Sequence, residues 1–433
     1  MRTITYAAEV ALIALALAVP GVACAKDYNK YDFHVENGGL MRGKDNFTIR
    51  AIDTPRLIAP ETSIDDFART IARLADVGAD SVCFDLFGFD EKGKSLSSEA
   101  VEAVNRAQRE TKEYRMSAVC RVFGADAPED PDFRMAAVAT AAKALKGQTK
   151  VVYWIDGPDC AKLVAEFLKY APDAAVAAPE GAPMVVVTSE AAAQAASGTC
   201  PLLVGAVPAD PQGSLSFVAP DVPATFATLD EKMALAVESE PWEPDNSGLS
   251  EEERADGWIA LFDGKTFNGW VITGSQDGFR VRDGMIEWVK SGGGSVRTRD
   301  RYENFVLRFE WKIESGGNSG VYLRAPRAAR ASRIGMEFQL QGDHGKPVTN
   351  KGTGAFYDAQ EPRLNAGKPA GEWNTVEIAL NGTHARAVLN GQLVQDLDMA
   401  GHDKLKLRLQ RGFIALQDHN NQVAFRNIRI KPL

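Results

Sequence analysis

The sequence predicts a multidomain protein in which an α/β domain with a (β/α) barrel-like fold precedes an all-β antiparallel sandwich. Its 433 residues exceed one ordinary domain of about 100–200 residues. Between residues 45 and 240, short β-branched runs alternate with amphipathic helical segments, which is typical of a parallel sheet covered by helices. After Gly257, apolar and polar residues alternate, which indicates half-buried antiparallel strands.

The N-terminal segment resembles an export signal. A cationic start is followed by an apolar run from Ala7 to Pro20 and by Ala23-Cys24-Ala25. This order predicts a secretory signal peptide over residues 1–25, cleaved after Ala25. The alternative is a lipid anchor on Cys24, because small residues precede it. We therefore expect an exported protein, periplasmic or extracellular, or a membrane-anchored lipoprotein without a membrane span.

Charge and cysteine content restrict the class of partner. The formal net charge of −9 disfavours nucleic acid, because phosphate binding needs a clustered basic face, and a neutral carbohydrate suits this balance better. No Cys-x-x-Cys pair is present, so a zinc site is not expected. Export would permit disulfides, whereas buried thiols are the simpler interpretation of Cys83, Cys120, Cys160 and Cys200.

The α/β domain, residues 45–240, contains six predicted apolar strands separated by helices. The units repeat evenly and no Gly-rich phosphate loop opens a helix, which favours a barrel; an open doubly wound sheet is the alternative. The predicted strands are Phe47–Ile52, Ser81–Leu86, Ser117–Val122, Lys150–Ile155, Met184–Val187 and Leu202–Ala206.

Polar residues follow several of these strands, at the edge where such folds place their sites. Asp85 and Asp156 could form the carboxylate pair of a glycosidase, which needs a separation of about 5–10 Å. Strand-terminal acids are also common helix caps and ion-pair partners, which is the simpler interpretation. Trp154 is either a sugar platform or a buried aromatic. The candidate set is Asp53, Asp85, Asp90, Arg121 and Asp156.

Residues 241–256 are predicted to be an interdomain linker. Two prolines, Pro241 and Pro244, are followed by the acidic run Glu251-Glu252-Glu253. Prolines and like charges resist packing, so this composition indicates an interdomain linker.

The C-terminal domain, residues 257–433, is predicted to be a β-sandwich of the jelly-roll type. Tight turns are indicated by Asn381-Gly382 and Asn390-Gly391. Many short alternating strands with such turns are typical of this architecture. The clearest predicted strands are Phe305–Ile313, Val321–Arg324, Gly335–Gln341, Val376–Leu380, Ala385–Leu389 and Phe413–Asp418.

Strand alternation also assigns faces. If Met336, Phe338 and Leu340 point between the sheets, their neighbours along the strand project from the opposite face. The same rule applied to two further strands predicts one polar sheet surface, although the outer face of any sandwich is polar. The predicted outward residues are Tyr322, Arg324, Glu337, Gln339, Gln341, Gln417 and His419.

Several motifs of this domain occur, in this order, in the family of 3-keto-disaccharide hydrolase domains, which the region from Gly257 to Leu433 resembles. Asn420 departs from the family pattern, which usually has glycine after the histidine. The resemblance implies the jelly roll of concanavalin-A-like lectins and glucanases. The motifs are Leu261–Trp270, Asn318–Gly320, Glu337–Gln339, Gly371–Asn374, Leu389–Gly391, Leu416–His419 and Phe425–Ile430.

The resemblance implies cleavage of glycosides that are already oxidised at C3, by proton removal at C2, elimination and hydration. We expect Glu337 or His419 to be the catalytic base. Arg324 and Gln339 are candidates for holding sugar oxygens or stabilising the enolate, and Asn318 for fixing hydroxyl groups. Tyr322 and Gln417 complete the predicted substrate-binding set.

Three alternatives remain open at this stage. A divalent cation on Glu337, Asp418 and His419 would act as an electrophile, whereas the same residues could form a simple hydrogen-bonded cluster. The sandwich could be a non-catalytic carbohydrate-binding module, because such folds host both lectins and hydrolases. The main chemistry could also lie in the α/β domain.

Overall fold

The computed structural model describes residues 33–206 and 242–433, with internal gaps. The chain divides into two compact units, and each is described by itself. Among the described residues, the first unit draws on 33–63, 80–112 and 116–206, and the second on 64–79, 113–115 and 242–433. The predicted signal peptide, Cys24 and Cys200 lie outside the described residues. The gaps are 37–38, 43–44, 47–48, 54–56, 61, 77–78, 125–126, 149, 156–158, 173, 178–184, 189–201, 274–276, 291–293 and 328.

A small antiparallel sheet of three strands precedes the predicted α/β domain. Its strands are β1 (Phe33–Glu36), β2 (Gly39–Arg42) and β3 (Asp45–Asn46), paired in chain order. The sequence analysis did not predict it, because strands of two to four residues carry too few positions to show an alternation.

The α/β region forms a seven-stranded parallel sheet, and the six predicted strands are confirmed to within about two residues at each end. The sequence analysis missed β8, which is short and rich in alanine. The strands are β4 (Ile49–Asp53), β5 (Ser81–Asp85), β6 (Ser117–Arg121), β7 (Val151–Trp154), β8 (Ala175–Ala177), β9 (Val185–Thr188) and β10 (Leu202–Ala206). The helices are α1 (Ile64–Asp76), α2 (Ser98–Glu113), α3 (Pro131–Ala144) and α4 (Cys160–Tyr170).

The strand order of this sheet bears on the predicted barrel. The order is β8-β7-β6-β5-β4-β10-β9, so the last strand pairs with the first and the others follow in chain order. A closed barrel has this order. The described pairings nevertheless leave β8 and β9 as the two edges, so the described residues form a parallel sheet with two ends and barrel closure stays a prediction.

Three of the polar candidates of this region, Asp85, Asp90 and Arg121, have structural partners. Asp85 Oδ1 accepts a hydrogen bond from Arg121 Nε at 2.6 Å in an ion pair. Asp90 accepts backbone N–H bonds from Lys92 and Lys94, which lower its pKa and close a loop.

Trp154 is buried, so it is not an exposed sugar platform. Asp156 lies outside the described residues, and the proposed pair with Asp85 is therefore not tested. The described cysteines, Cys83, Cys120 and Cys160, are buried thiols, as the simpler interpretation expected.

The predicted linker is folded where the structure describes it, from residue 242 onward. A 3-10 turn (Asn246–Gly248) precedes a short helix, α5 (Glu251–Ala255), whose capping box joins Ser250 and Glu253. The acidic run occupies the first helical turn, where the helix dipole favours negative charge. The like charges therefore favour a helix start here, and the prediction that this segment resists packing is wrong.

The C-terminal domain is an antiparallel sandwich of an eight-stranded and a five-stranded sheet, as predicted. The larger sheet contains β11 (Ile259–Ala260), β13 (Phe279–Arg282), β14 (Met285–Trp288), β16 (Phe305–Ile313), β19 (Asn374–Asn381), β20 (His384–Leu389), β21 (Gln392–Asp398) and β23 (Val423–Pro432). The smaller sheet has the order β12 (Trp270–Ile272), β15 (Ser295–Thr298), β22 (Phe413–Gln417), β17 (Asn318–Ala325) and β18 (Met336–Gln341). A helical turn, α6 (Ala331–Ile334), precedes β18, and a 3-10 turn (Met399–Gly401) follows β21.

One apolar core lies between the two sheets. Alternate residues of β16, from Phe305 to Ile313, face alternate residues of β18, namely Met336, Phe338 and Leu340. Burying each large apolar side chain contributes about 1.5–3 kcal/mol, so this alternation fixes the register of the strands. The prediction that Met336, Phe338 and Leu340 point between the sheets is confirmed. No helix among the described residues is long and apolar enough to cross a membrane.

Candidate functional site

A polar pocket lies on the outer face of the five-stranded sheet, where β17 pairs with β18 and β22. Tyr322 on β17 is in register with Glu337 on one side and with Ala415 on the other. The cavity measures about 380 Å³, a volume that suits a small sugar. Six predicted site residues line it: Asn318, Tyr322, Glu337, Gln417, Asp418 and His419.

Glu337 is the buried carboxyl group of the pocket, with 3% of its surface exposed. Burial raises the pKa of Glu337 to about 7, although the Arg330 guanidinium and a hydrogen bond from Gln417 act in the opposite direction. Tyr357, on the chain after β18, also lines the pocket, and its backbone N donates to the backbone O of Glu337 at 2.9 Å. A carboxyl group with a pKa near neutrality can accept and release a proton at ordinary pH.

Gly320 provides the space for this carboxyl group. A Cβ atom at position 320 would lie 2.5 Å from Glu337 Oε1, far inside van der Waals contact. Ser319, the preceding residue, donates its hydroxyl to Gln417 O at 2.9 Å and ties β17 to β22. The Asn318–Gly320 motif therefore has a steric and a hydrogen-bonding reason beside the pocket.

Gln417 and Tyr322 form a hydrogen-bonded pair on the pocket floor. Gln417 Nε2 donates to Tyr322 Oη at 2.6 Å. Burial, and then the negative charge of Glu337, raise the pKa of the Tyr322 phenol well above its usual value. Tyr322 therefore stays protonated at any ordinary pH.

His419 lies at the rim and is linked to the sheet by two amides. Gln339 Nε2 donates to Asn318 Oδ1 at 2.7 Å, and Asn318 Nδ2 lies 3.2 Å from His419 Nε2. Because Asn318 uses its oxygen for Gln339, its N–H group faces the imidazole and His419 Nε2 acts as the acceptor. Gln339 is buried behind Asn318 and does not line the pocket, so it contacts the site only through Asn318.

Arg324 was predicted to project into the pocket, and this prediction is wrong. The register between β17 and β22 shifts between Tyr322 and Ala325, and Arg324 itself has a φ of 51°. The bulge breaks the alternation, so the side chain is fully buried. Its guanidinium donates to Glu303 O at 2.8 Å and to Gly382 O at 3.0 Å, which is a structural role.

Asp418 and Asn420 shape the loop that carries His419. Asp418 Oδ1 accepts from Trp288 Nε1 at 2.7 Å and from Asn420 N at 3.0 Å. Asn420 has a φ of 61°, a left-handed conformation that glycine adopts freely and that asparagine tolerates. Asparagine can therefore occupy the position where the family usually has glycine.

The positions of Glu337, Asp418 and His419 do not favour the alternative of a bound divalent cation. Among the described residues, no three His, Cys, Asp or Glu side chains converge closely enough to hold a metal ion. Glu337, Asp418 and His419 therefore line one pocket without forming a ligand set.

Sequence reasoning missed several residues of the pocket wall. Arg330 and Tyr357 lie on segments between strands, where alternation makes no prediction. Arg297 and Ser295 lie on β15, a short strand that the sequence analysis did not single out. For β15, the alternation of side chains along the strand was the sequence signal that identifies its outward residues.

The fold and the site define a jelly-roll domain with an acid–base pocket on one sheet. Residues 257–431 match the family model of the 3-keto-alpha-glucoside-1,2-lyase-like domain. A 3-keto-disaccharide hydrolase of Bacteroides thetaiotaomicron is 31% identical over 230 residues, a match that covers 41% of this chain and 79% of that protein. This chain therefore belongs to the 3-keto-disaccharide hydrolase family, as the motifs indicated.

Two solved structures from Parabacteroides distasonis, both of candidate glycosyl hydrolases, are also similar. The first is 29% identical, with a TM-score of 0.39, and the match covers 43% of this chain and 98% of the other. The second is 27% identical, with a TM-score of 0.33, and the match covers 38% and 100%.

Proposed function

We propose that this protein is an exported enzyme that cleaves the glycosidic bonds of 3-keto-glycosides by C2 proton abstraction, elimination and hydration. Family membership supports glycoside cleavage in general. The observation that carries the finer proposal is Glu337, a buried carboxyl group in a sugar-sized polar pocket with a pKa of about 7.

The chemistry of a 3-keto sugar needs such a base. The keto group acidifies the proton at C2. Glu337 removes this proton, the C2–H electron pair forms a C2=C3 bond, and the carbonyl π pair moves to the C3 oxygen. The pair on the C3 oxygen then forms the carbonyl again, the C2=C3 pair forms a C1=C2 bond, and the C1–O bond breaks. Water adds at C1 and a proton returns to C2, so the net reaction is hydrolysis.

The leaving oxygen needs a proton as the C1–O bond breaks. His419 lies at the rim of the same pocket. Its Nε2 accepts from Asn318, so Nδ1 is the ring nitrogen that carries a proton, and we assign the transfer to it. Arg330 lies close enough to Glu337 to lower its pKa, and its positive charge favours an anionic intermediate in the pocket.

The first test is turnover of a 3-keto-glucoside by the full chain. We expect Glu337→Gln and His419→Ala each to lower turnover by about 10²-fold or more, the scale of lost acid–base catalysis. In deuterated water, the wild-type product should carry deuterium at C2.

Glu310→Gln is the matched control, because Glu310 lies on β16 of the opposite sheet and pairs with Arg426. It should leave turnover unchanged. If both pocket variants retained wild-type turnover, the catalytic assignment would fail, and sugar binding without cleavage by the wild type would favour the binding-module alternative.

Export is proposed from the sequence of residues 1–25 alone. Mass spectrometry of the mature protein should find Lys26 as the N-terminal residue. A lipidated Cys24 would instead establish the membrane-anchored alternative, and retention of Met1 would contradict export.

A further inference from the structure

We propose that Tyr322 is a further catalytic residue, whose phenol O–H donates a hydrogen bond to the C3 oxygen as negative charge develops there. Gln417 is the positioning residue that orients this phenol. The inference rests on the proposed function, because it assigns a donor to the enolate of that reaction.

The direction of the hydrogen bond from Gln417 determines where the phenol hydrogen points. An amide nitrogen only donates, so Tyr322 Oη is the acceptor in the 2.6 Å contact with Gln417 Nε2. Among the residues that the structure describes, Tyr322 Oη accepts this bond and no bond donated by it is found. The single phenol hydrogen is therefore available to a ligand in the pocket that Tyr322 lines.

The orientation of the Gln417 amide follows from its second partner. The Gln417 amide also acts on the Glu337 carboxyl group, where it lowers the pKa and so favours the ionised form. A carboxylate only accepts hydrogen bonds, so an interaction that favours this form comes from the amide nitrogen. One NH₂ group thus serves the base and the phenol together, and it fixes Glu337 as an acceptor and Tyr322 as a donor.

The strand register places these two groups where neighbouring atoms of the sugar require them. C2, which loses a proton, and C3, whose oxygen gains charge, are bonded to each other. Tyr322 and Glu337 are directly paired across β17 and β18, and such pairs have Cβ atoms about 4.5–5.5 Å apart. A base and a donor on these positions can therefore reach C2–H and the C3 oxygen of one ring.

The chemistry of a buried phenol suits an enolate better than a leaving group. Because burial raises its pKa, Tyr322 holds its proton and stabilises the oxyanion by a hydrogen bond. The leaving oxygen at C1 needs complete proton transfer, which is the role assigned to His419. In the proposed step, Glu337 takes the C2 proton, the C2–H electron pair forms a C2=C3 bond, and the C=O π pair moves to the C3 oxygen. Tyr322 donates a hydrogen bond to that oxygen without losing its proton.

The test uses 1,5-anhydro-3-keto-glucitol, which has no exocyclic leaving group at C1. Exchange of its C2 hydrogen with deuterated water reports enolate formation separately from bond cleavage. We expect Tyr322→Phe to slow this exchange by about 10²-fold, the scale of one lost oxyanion donor. Cleavage of a 3-keto-glucoside should fall by a similar factor, whether the leaving group is p-nitrophenol or methanol.

Two further variants separate this role from a structural one. Tyr302→Phe removes another buried phenol O–H in the sandwich core, outside the pocket, and should leave exchange unchanged. Gln417→Met keeps the side-chain size but removes the donor, and should slow exchange without changing the dissociation constant of the probe. If Tyr322→Phe does not fold, the pH dependence of exchange in Gln417→Met decides, because Gln417 also lowers the pKa of Glu337. Exchange that stays slow at about pH 9, where Glu337 is ionised, supports the phenol role, whereas exchange that recovers there overturns it.

The outcomes distinguish the inference from the proposed function. Normal exchange in Tyr322→Phe and Gln417→Met would overturn the inference and leave the function intact. In Tyr322→Phe, normal exchange, slow cleavage of the methyl 3-keto-glucoside and normal cleavage of the p-nitrophenyl substrate would assign Tyr322 to the leaving oxygen. This result would also overturn the inference. If the wild type neither exchanges the probe nor cleaves a 3-keto-glucoside, the proposed function itself fails.

Discussion

The proposed role of the Glu337 carboxyl group as the base places catalysis and stability in conflict. The same burial that raises its pKa to about 7 makes its ionised form costly in the folded protein. The base needed for proton abstraction is the ionised form, so activity should rise with pH through about 7. The contribution of Glu337 to the free energy of unfolding falls over the same pH range.

We predict that Glu337→Gln is more stable than the wild type at pH 8 and nearly equal to it below pH 4.5. A raised carboxyl pKa gives stability that is fully present below the ordinary value of 4.5 and is lost as pH rises through about 7. The difference between the two pKa values, 4.5 and about 7, corresponds to a gain in the free energy of unfolding on the order of 3 kcal/mol for the variant at pH 8. Urea unfolding at several pH values measures it.

Glu310→Gln provides the comparison, since it makes the same chemical change outside the pocket. It should show no such gain at pH 8. Parallel stability curves for wild type and Glu337→Gln would mean that burial of the carboxyl group does not control its ionisation.

Individual pocket residues were predictable where the strand is regular. Alternation alone placed Glu337 and Tyr322 on the outward side of their strands, because the period of two is fixed by the backbone. It could not predict that Glu337 is buried, since the pocket wall includes Tyr357, on a segment between strands. Arg330 was equally unpredictable, because the conformation of its loop depends on tertiary contacts.

At the scale of elements, the failures occur where a local exception interrupts a regular pattern. Arg324 has the residue type and the parity of a pocket residue, but a bulge in β17 directs it into buried hydrogen bonds. A bulge is set by pairing with β22, about 90 residues later, so no local signal reveals it.

The helix after Ser250 shows a different kind of failure. The acidic run was interpreted through composition, whereas Ser250 and Glu253 have the spacing of a capping box. That spacing was present in the sequence and would have predicted a helix start. Strand order in the α/β region could not be derived in this way, because the pairing of β10 with β4 joins distant segments.

At the scale of the whole molecule, the sandwich begins upstream of its family motifs. Trp242 packs against the sandwich core and donates to Asp300 at 2.8 Å. Gly269 leaves room for its ring, since a Cβ atom there would lie 2.7 Å from the Trp242 side chain. Leu249 packs with Trp258 in a second small cluster. The folding unit therefore includes residues 242–256, although the family match starts at 257.

We predict that a fragment of residues 242–433 is more stable than one of residues 257–433. The shorter fragment loses the burial of Trp242 and Leu249, and each large apolar side chain contributes about 1.5–3 kcal/mol. A net loss of about 2–3 kcal/mol should lower the midpoint of thermal unfolding by roughly 5–10 °C in a domain of this size. Circular dichroism of both fragments on heating measures the difference.

Trp242→Ala in the longer fragment should reproduce much of the loss, whereas Glu252→Gln, on the exposed side of α5, should not. Equal midpoints for the two fragments would show that residues 242–256 add no stability to the sandwich and that the domain begins at its first family motif.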